Sequence, residues 1–137
     1  MSLVLVLDAE ALSSLARRRP RGFNEVRAAL EAARRLRREV MTPAVVLAEL
    51  YRGPGHNDVV HACLSQETAI AVRDTDRSLA RLVGGVLAAA GAGSEDLADA
   101  HAVAVAVEGG GGVILTSDES DLARLAAAYP SVHVKVI

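Results

Sequence analysis

The sequence predicts an α/β fold, a three-layer sandwich with a central parallel β-sheet flanked by helices. Three observations carry that expectation. Short apolar runs of strand length recur along the chain, and Leu3–Leu7 is apolar throughout, as a strand buried on both faces requires. Segments of helical periodicity separate these runs, the alternation that builds a parallel sheet. Aromatic residues make up only 2% of a chain that is 51% hydrophobic, so Ala, Val and Leu must form the core, which suits close packing of helices on a sheet. At 137 residues, with no repeat or linker, the chain fits one domain spanning 1–137.

The elements follow in order. Leu3–Leu7 is the first strand, and a helix runs from Ala9 to about Arg18, where Pro20 and Gly22 break it. Val26, Ala29, Leu30, Ala33 and Leu36 recur at helical spacing and predict a helix from Phe23 to about Arg38 with its arginines on the opposite side. Val40–Thr42 is a short strand. Thr42 reads as an N-cap and Pro43 as the first residue of a helix through Leu50, stopped by Gly53 and Pro54. A helix over about Asn57–Ser65 leads to a strand at Ala69–Val72. Asp74 or Thr75 caps a helix through Ala90, in which Gly84 and Gly85 allow close packing or a bend. Ser94 caps a helix from Glu95 to about Val107. The glycines 109–112 turn into the strand Val113–Thr116, a helix spans Glu119–Ala128, and Val132–Val136 is the last strand.

The net charge of −2 hides an asymmetry. Residues 1–40 carry nine arginines against five acids, whereas residues 41–137 carry six basic residues against twelve acids. Arg17, Arg18, Arg19 and Arg21, then Arg34, Arg35, Arg37 and Arg38, form either a solvated helix face or an arginine-rich rim that grips a polyanion beside an acidic pocket. The single cysteine, Cys63, excludes an intrachain disulfide and a cysteine-based zinc site. Leu3–Leu7 is too short, and lacks a basic flank, for a signal peptide, and the apolar stretches fall well short of a membrane span. A cytoplasmic protein with no membrane association is expected.

The chemistry is carried by acids. Asp8 and Asp118 directly follow strand-like runs, whose ends a parallel sheet gathers at one edge, where ligands bind. Glu49 ends a short helix, and Asp99 lies in the first turns of another. Asp96 and Asp99, at i and i+3, share a helix face, with one of them expected to face the pocket. Carboxylates crowded together repel one another unless a hard divalent cation neutralises them, which points to a Mg²⁺- or Mn²⁺-dependent enzyme acting on phosphate. Each acid also has an ordinary structural role open to it: Asp8 and Asp118 as N-caps, Asp99 as a first-turn acid favoured by the helix dipole, Glu49 as an exposed surface group. His101 is expected to pack or to be partly exposed, and Cys63 to lie in the core. Arg52 is expected in a surface ion pair or in reach of substrate phosphate.

Four segments extend this reading. Val6-Leu7-Asp8-Ala9-Glu10-Ala11-Leu12, the run Pro43–Gly53 that contains Ala48-Glu49-Leu50, Asp96-Leu97-Ala98-Asp99-Ala100-His101, and Leu115-Thr116-Ser117-Asp118-Glu119-Ser120-Asp121-Leu122 resemble, in order, the acidic motifs of PIN-domain nucleases, most of all the VapC toxins of bacterial toxin–antitoxin pairs. The resemblance spans residue 3 to the final strand. It implies that Asp8, Glu49, Asp99 and Asp118 form a metal pocket supported by the hydroxyl of Thr116 or Ser117, with Asp96 and Asp121 auxiliary. It further implies a Mg²⁺- or Mn²⁺-dependent endoribonuclease that leaves 5′-phosphate and 3′-hydroxyl ends, forms a homodimer and is neutralised by a protein antitoxin that inserts near the pocket. The competing readings are a PIN-like binding module that holds an antitoxin or RNA with little turnover, and a phospho-receiver or phosphatase domain with Asp8 as nucleophile.

Overall fold

Five strands, all parallel, form the middle layer of the computed structural model, which describes residues 3–137. In chain order the elements are β1 (Val4–Leu7), α1 (Ala9–Ala16), α2 (Phe23–Arg35), β2 (Val40–Pro43), α3 (Ala44–Leu50), α4 (Pro54–Gln66), β3 (Ile70–Arg73) and α5 (Arg77–Ala90). A 3₁₀ turn at Ser94–Asp96 then leads into α6 (Leu97–Glu108), β4 (Gly112–Thr116), α7 (Ser120–Ala126) and β5 (Val132–Val136). The sheet order is β3-β2-β1-β4-β5. The chain winds outward from β1 in one direction and resumes on its other side at β4, so the switch point lies between β1 and β4.

Side-chain alternation along β1 divides the core. Val4 and Val6 pack with α5, α6 and α7, whereas Leu5 and Leu7 pack with α1, α2, α3 and α4. Both sets are buried, which explains why the strand reads as an unbroken apolar run. The three-layer α/β expectation therefore holds. Helix α6 is enclosed more completely than its neighbours: every residue from Ala100 to Ala106 is buried, against α5, α7 and strands β1, β2 and β4. Small side chains make that enclosure possible, and they fix the helix whose first turn carries Asp99.

Several local expectations are corrected. Pro43 closes β2 and is the extended N-cap of α3, not its first helical residue. Thr42 does not cap that helix, because its hydroxyl donates 2.9 Å to the Leu7 carbonyl and ties the ends of β2 and β1 together. Pro54, read as a stop, opens α4, whose first position needs no amide donor. The cap of α5 is Asp76, whose carboxylate accepts from the Leu79 amide, rather than Asp74 or Thr75. The Ser94 segment is a 3₁₀ turn and not the start of α6. Gly84 and Gly85 meet nothing within the chain and face solvent along an uninterrupted α5. The helices predicted to reach Arg18, Arg38 and Ala128 end two to three residues earlier.

The β1–β4 junction is backbone against backbone. A Cβ built on Gly112 would overlap the Val4 carbonyl oxygen, so this strand position accepts only glycine without displacing β1. Gly112→Ala is expected to destabilise the fold by about 2–3 kcal/mol, read as a lower midpoint in urea unfolding with an unchanged slope.

Candidate metal-binding site at the sheet switch point

Strands β1 and β4 deliver two carboxylates to the edge where the sheet order reverses. Asp8 follows β1 and is 6% exposed; its Oδ1 accepts 2.9 Å from the Ala11 amide, so it is also the N-cap of α1. Asp118 follows β4 and is exposed. Its Oδ1 accepts from the amide (3.1 Å) and hydroxyl (3.0 Å) of Ser120, while Thr116 Oγ1 bridges the Asp118 amide and carbonyl. Thr116 itself is buried, so the loop that carries Asp118 is fastened from below.

Helices bring the rest. Asp8, Glu10, Glu49, Asp99, Asp118 and Asp121 line one cavity of about 150 Å³ together with Thr116 and the apolar side chains of Ala9, Val46 and Ala98. All four acids singled out as ligands thus reach one place, and Asp121 joins them. Asp96 does not line this cavity; it is buried beside it and accepts 2.8 Å from Arg124. Of the i, i+3 pair, Asp99 is the member that faces the pocket. Glu10 was missed as a site residue, although its place two residues after Asp8 in the first turn of α1 was the available signal. Ser117 donates to Glu10 Oε2 at 3.4 Å and does not itself line the cavity.

The electrostatics follow from crowding and burial. Burial pushes the Asp8 carboxyl up to about 6, against the lowering influence of the Thr116 hydroxyl and the Ala11 amide. Asp99 also rises to about 6, first through burial and then through repulsion from Asp8, Asp121, Glu49 and Asp96. Asp118 moves the other way, held below the usual carboxylate range by the two Ser120 donors. Among the described residues, no cationic side chain lines the cavity. Larger grooves exist, one of about 430 Å³ between α1, α2 and α4 and one of about 320 Å³ near Glu39, Arg73 and Glu108, but neither gathers acids in this way. For a cation, convergent charge matters more than volume.

The arginine-rich segments are not beside this pocket. Helix α1 begins at Asp8 and runs away from it, so Arg17 lies one helix length, about 12 Å, from the acids. Arg34 and Arg35 end α2, and Arg37 and Arg38 precede β2, at the edge of the sheet opposite the carboxylates. Arg17 bonds His56 and Arg34 bonds Glu31. Arg52 makes no ion pair with Glu49; its guanidinium donates to the Ala48 and Tyr51 carbonyls. His101 is buried with Nδ1 at 2.8 Å from the Leu97 carbonyl, and Cys63 is buried, as expected for core residues.

A parallel α/β domain with a carboxylate-lined cavity at its switch point belongs to the class of open-sheet α/β proteins whose ligand crevice lies at that edge. The particular family is the PIN domain family: its model, described as "PIN domain", matches residues 5–128, and the chain belongs to it. Solved structures similar in fold include VapBC2 from Rickettsia felis bound to a DNA fragment from their promoter, with a TM-score of 0.66, 16% identity, and coverage of 98% of this chain and 99% of that one. A toxin–antitoxin complex from Klebsiella pneumoniae gives a TM-score of 0.67 at 17% identity, covering 97% of this chain and 99% of that one. DNA-bound VapBC from Salmonella typhimurium gives 0.65 at 17% identity, covering 98% of each chain. At these identities the likeness is one of fold. No curated protein matches this chain in sequence. Among the described residues, no helix is long and apolar enough to cross a membrane.

Proposed function

We propose that this PIN-domain chain, taken as one domain over residues 1–137, is a Mg²⁺- or Mn²⁺-dependent endoribonuclease that acts as the VapC-type toxin of a toxin–antitoxin pair in the cytoplasm. The observation that carries the reading is the meeting of Asp8, Glu49, Asp99 and Asp118 on one cavity, with Asp8 and Asp99 both pushed up to about 6. Acids spread along the chain gain nothing from such crowding unless a cation is bound there. The donor set fits a hard divalent ion: carboxylate oxygens converge, with no His or Cys among the lining residues.

Asp8, Glu49, Asp99 and Asp118 would hold the ion. When bound, such an ion neutralises the carboxylates, acts as a Lewis acid toward a phosphoryl oxygen and makes a water easier to deprotonate. The chain's own contribution is placement. Asp8 is fixed by the Ala11 amide, and Asp118 by Ser120 and Thr116, so both enter the reaction in set orientations. Asp121 and Glu10, also on the cavity wall, would be placed to hydrogen-bond a water near the ion. RNA would be held chiefly through its backbone, with selectivity coming from its shape. The arginines at the far ends of α1 and α2 would then contact a substrate segment remote from the scissile bond.

The fold neighbours that are toxin–antitoxin complexes support a protein antitoxin as partner. The groove between α1, α2 and α4, lined by Leu15, Phe23 and Val59 together with Arg18, Arg27 and Glu67, offers a concave surface of mixed polar and apolar character for a segment of it. The bare outer side of α5 at Gly84, Gly85 and Ala88 supports a homodimer built on that helix. The test of the central reading is cleavage of a labelled RNA by metal-stripped protein. Strand scission should require added Mg²⁺ or Mn²⁺, and the products should carry 5′-phosphates. Equal cleavage in excess chelator would overturn the proposal.

A further inference from the structure

A cation is already present at the acidic edge, and it belongs to the chain. Asp96, Asp99 and Asp121 each offer a carboxylate oxygen within 4.8 Å of the other two. Into this group reaches Arg124 from α7: its Nη2 lies 2.8 Å from Asp96 Oδ2 and 3.9 Å from Asp121 Oδ1. Asp99 and Asp121 join the arrangement to the cavity, since both also line it with Asp8, Glu49 and Asp118. The acidic edge therefore holds two overlapping carboxylate groups that share Asp99 and Asp121, and Arg124 enters from the side of Asp96.

An exposed arginine paired with an acid three residues earlier on its own helix would mean little. The bond to Asp96 is different. Asp96 comes from a separate element, and its side chain is only 7% exposed, so its charge cannot rely on water and needs a partner. Asp96, Asp99 and Asp121 without Arg124 would form a compact three-carboxylate group next to the first cavity. Adjacent carboxylate groups sharing a ligand are how paired divalent ions are held, about 3.5–4 Å apart. A guanidinium keeps its charge at all working pH values and cannot dissociate from the chain.

We propose that Arg124 is a built-in substitute for a second metal ion, so that the site takes up one divalent cation and not two. Resting on the metal-dependent reading of the cavity, this makes Arg124 a positioning residue: it acts through Asp96 and Asp121, neutralising them where a second ion would sit, while Asp99 remains free to serve the first ion. Because the Arg124 side chain is 47% exposed, removing its charge opens this group to solvent rather than emptying a buried core.

The test counts bound Mn²⁺ on metal-stripped protein by calorimetric titration, with free Mn²⁺ followed by its electron paramagnetic resonance signal. One ion is expected for the wild type and for Arg124→Lys, which preserves the charge. Two are expected for Arg124→Gln, and one again when Asp96→Asn is added to it. A simple packing role for Arg124 would not change stoichiometry, nor would lysine reverse the change. One ion in both wild type and Arg124→Gln would overturn the inference while leaving the nuclease reading in place. Two ions in the wild type would overturn it without any variant, which covers the case in which Arg124→Gln does not fold. No uptake by either protein would overturn the metal reading itself, and this inference with it.

Discussion

Asp8→Asn is expected to yield a folded protein whose Mg²⁺-dependent RNA cleavage falls by at least about a hundredfold. The substitution separates the two roles of this side chain. As an N-cap, Asp8 needs an oxygen that accepts from the Ala11 amide, and asparagine supplies one with equal preference at that position. As a proposed ligand it needs negative charge, which asparagine lacks. The site also imposes a burial penalty on the charged form, and the neutral amide escapes it. Metal-free Asp8→Asn should therefore melt no lower than the wild type. Asp8→Ala should lose activity as well, and about 1 kcal/mol of stability with the cap. Cleavage of labelled RNA and a thermal melt on the same preparations separate these effects. Undiminished cleavage by a folded Asp8→Asn protein would count against the assignment of the cavity.

Lowering the pH from about 7 to about 5 should stabilise the metal-free protein. Asp8 and Asp99 take up protons there, while Glu31, Asp76, Glu108 and Asp118, all held below their ordinary range, stay ionised. Asp8 and Asp99 both have carboxyls raised from 3.8 to about 6 in the fold, so the native state binds these protons more tightly than the unfolded chain. Their contribution to stability is complete below about pH 4 and is lost as pH rises through about 6. For buried Asp8 the shift corresponds to about 3 kcal/mol across that window. For Asp99, only partly buried, solvent screening makes it smaller. A divalent ion acts in the opposite sense, because it requires the deprotonated carboxylates and must displace protons to bind. Added Mn²⁺ should thus raise the melting temperature strongly at about pH 7.5 and little at about pH 5. The check is a set of melts over that range with and without Mn²⁺. A Mn²⁺ effect that grows as pH falls would contradict the crowded-carboxylate account.

The fold class was legible because burial on both faces leaves a plain mark: β1 is apolar at every position, and the helices between strands show one apolar side. The order of strands in the sheet was not legible, since nothing in a single strand states its neighbour. Helix starts were misread where two candidate caps stood close together. Thr42 looked like a cap because it precedes Pro43, yet its hydroxyl is used by the Leu7 carbonyl, a partner 35 residues away. The acids could be picked out because each stands at a strand end or helix start next to apolar residues. Glu10 and Arg124 were hidden for the opposite reason: both look like ordinary charges on exposed helix turns until the fold brings distant elements beside them. Which of the two readings of the arginine-rich segments holds was not legible, because proximity along the chain to Asp8 is not proximity in space: α1 carries the chain from one edge of the sheet to the other.

The reversal of winding between β1 and β4 governs when the cavity comes into being as the protein is made. Asp8 and Glu49 emerge from the ribosome early, in the half that builds β1, β2 and β3. Asp99, Asp118 and Asp121 arrive only with α6, β4 and α7, and β4 must then insert beside β1 rather than extend the growing edge. Since a domain generally folds as a unit, a nascent chain lacking its last thirty or so residues has no assembled acid cluster. A fragment truncated before β4 would lack Asp118 and Asp121 and could not close the cavity.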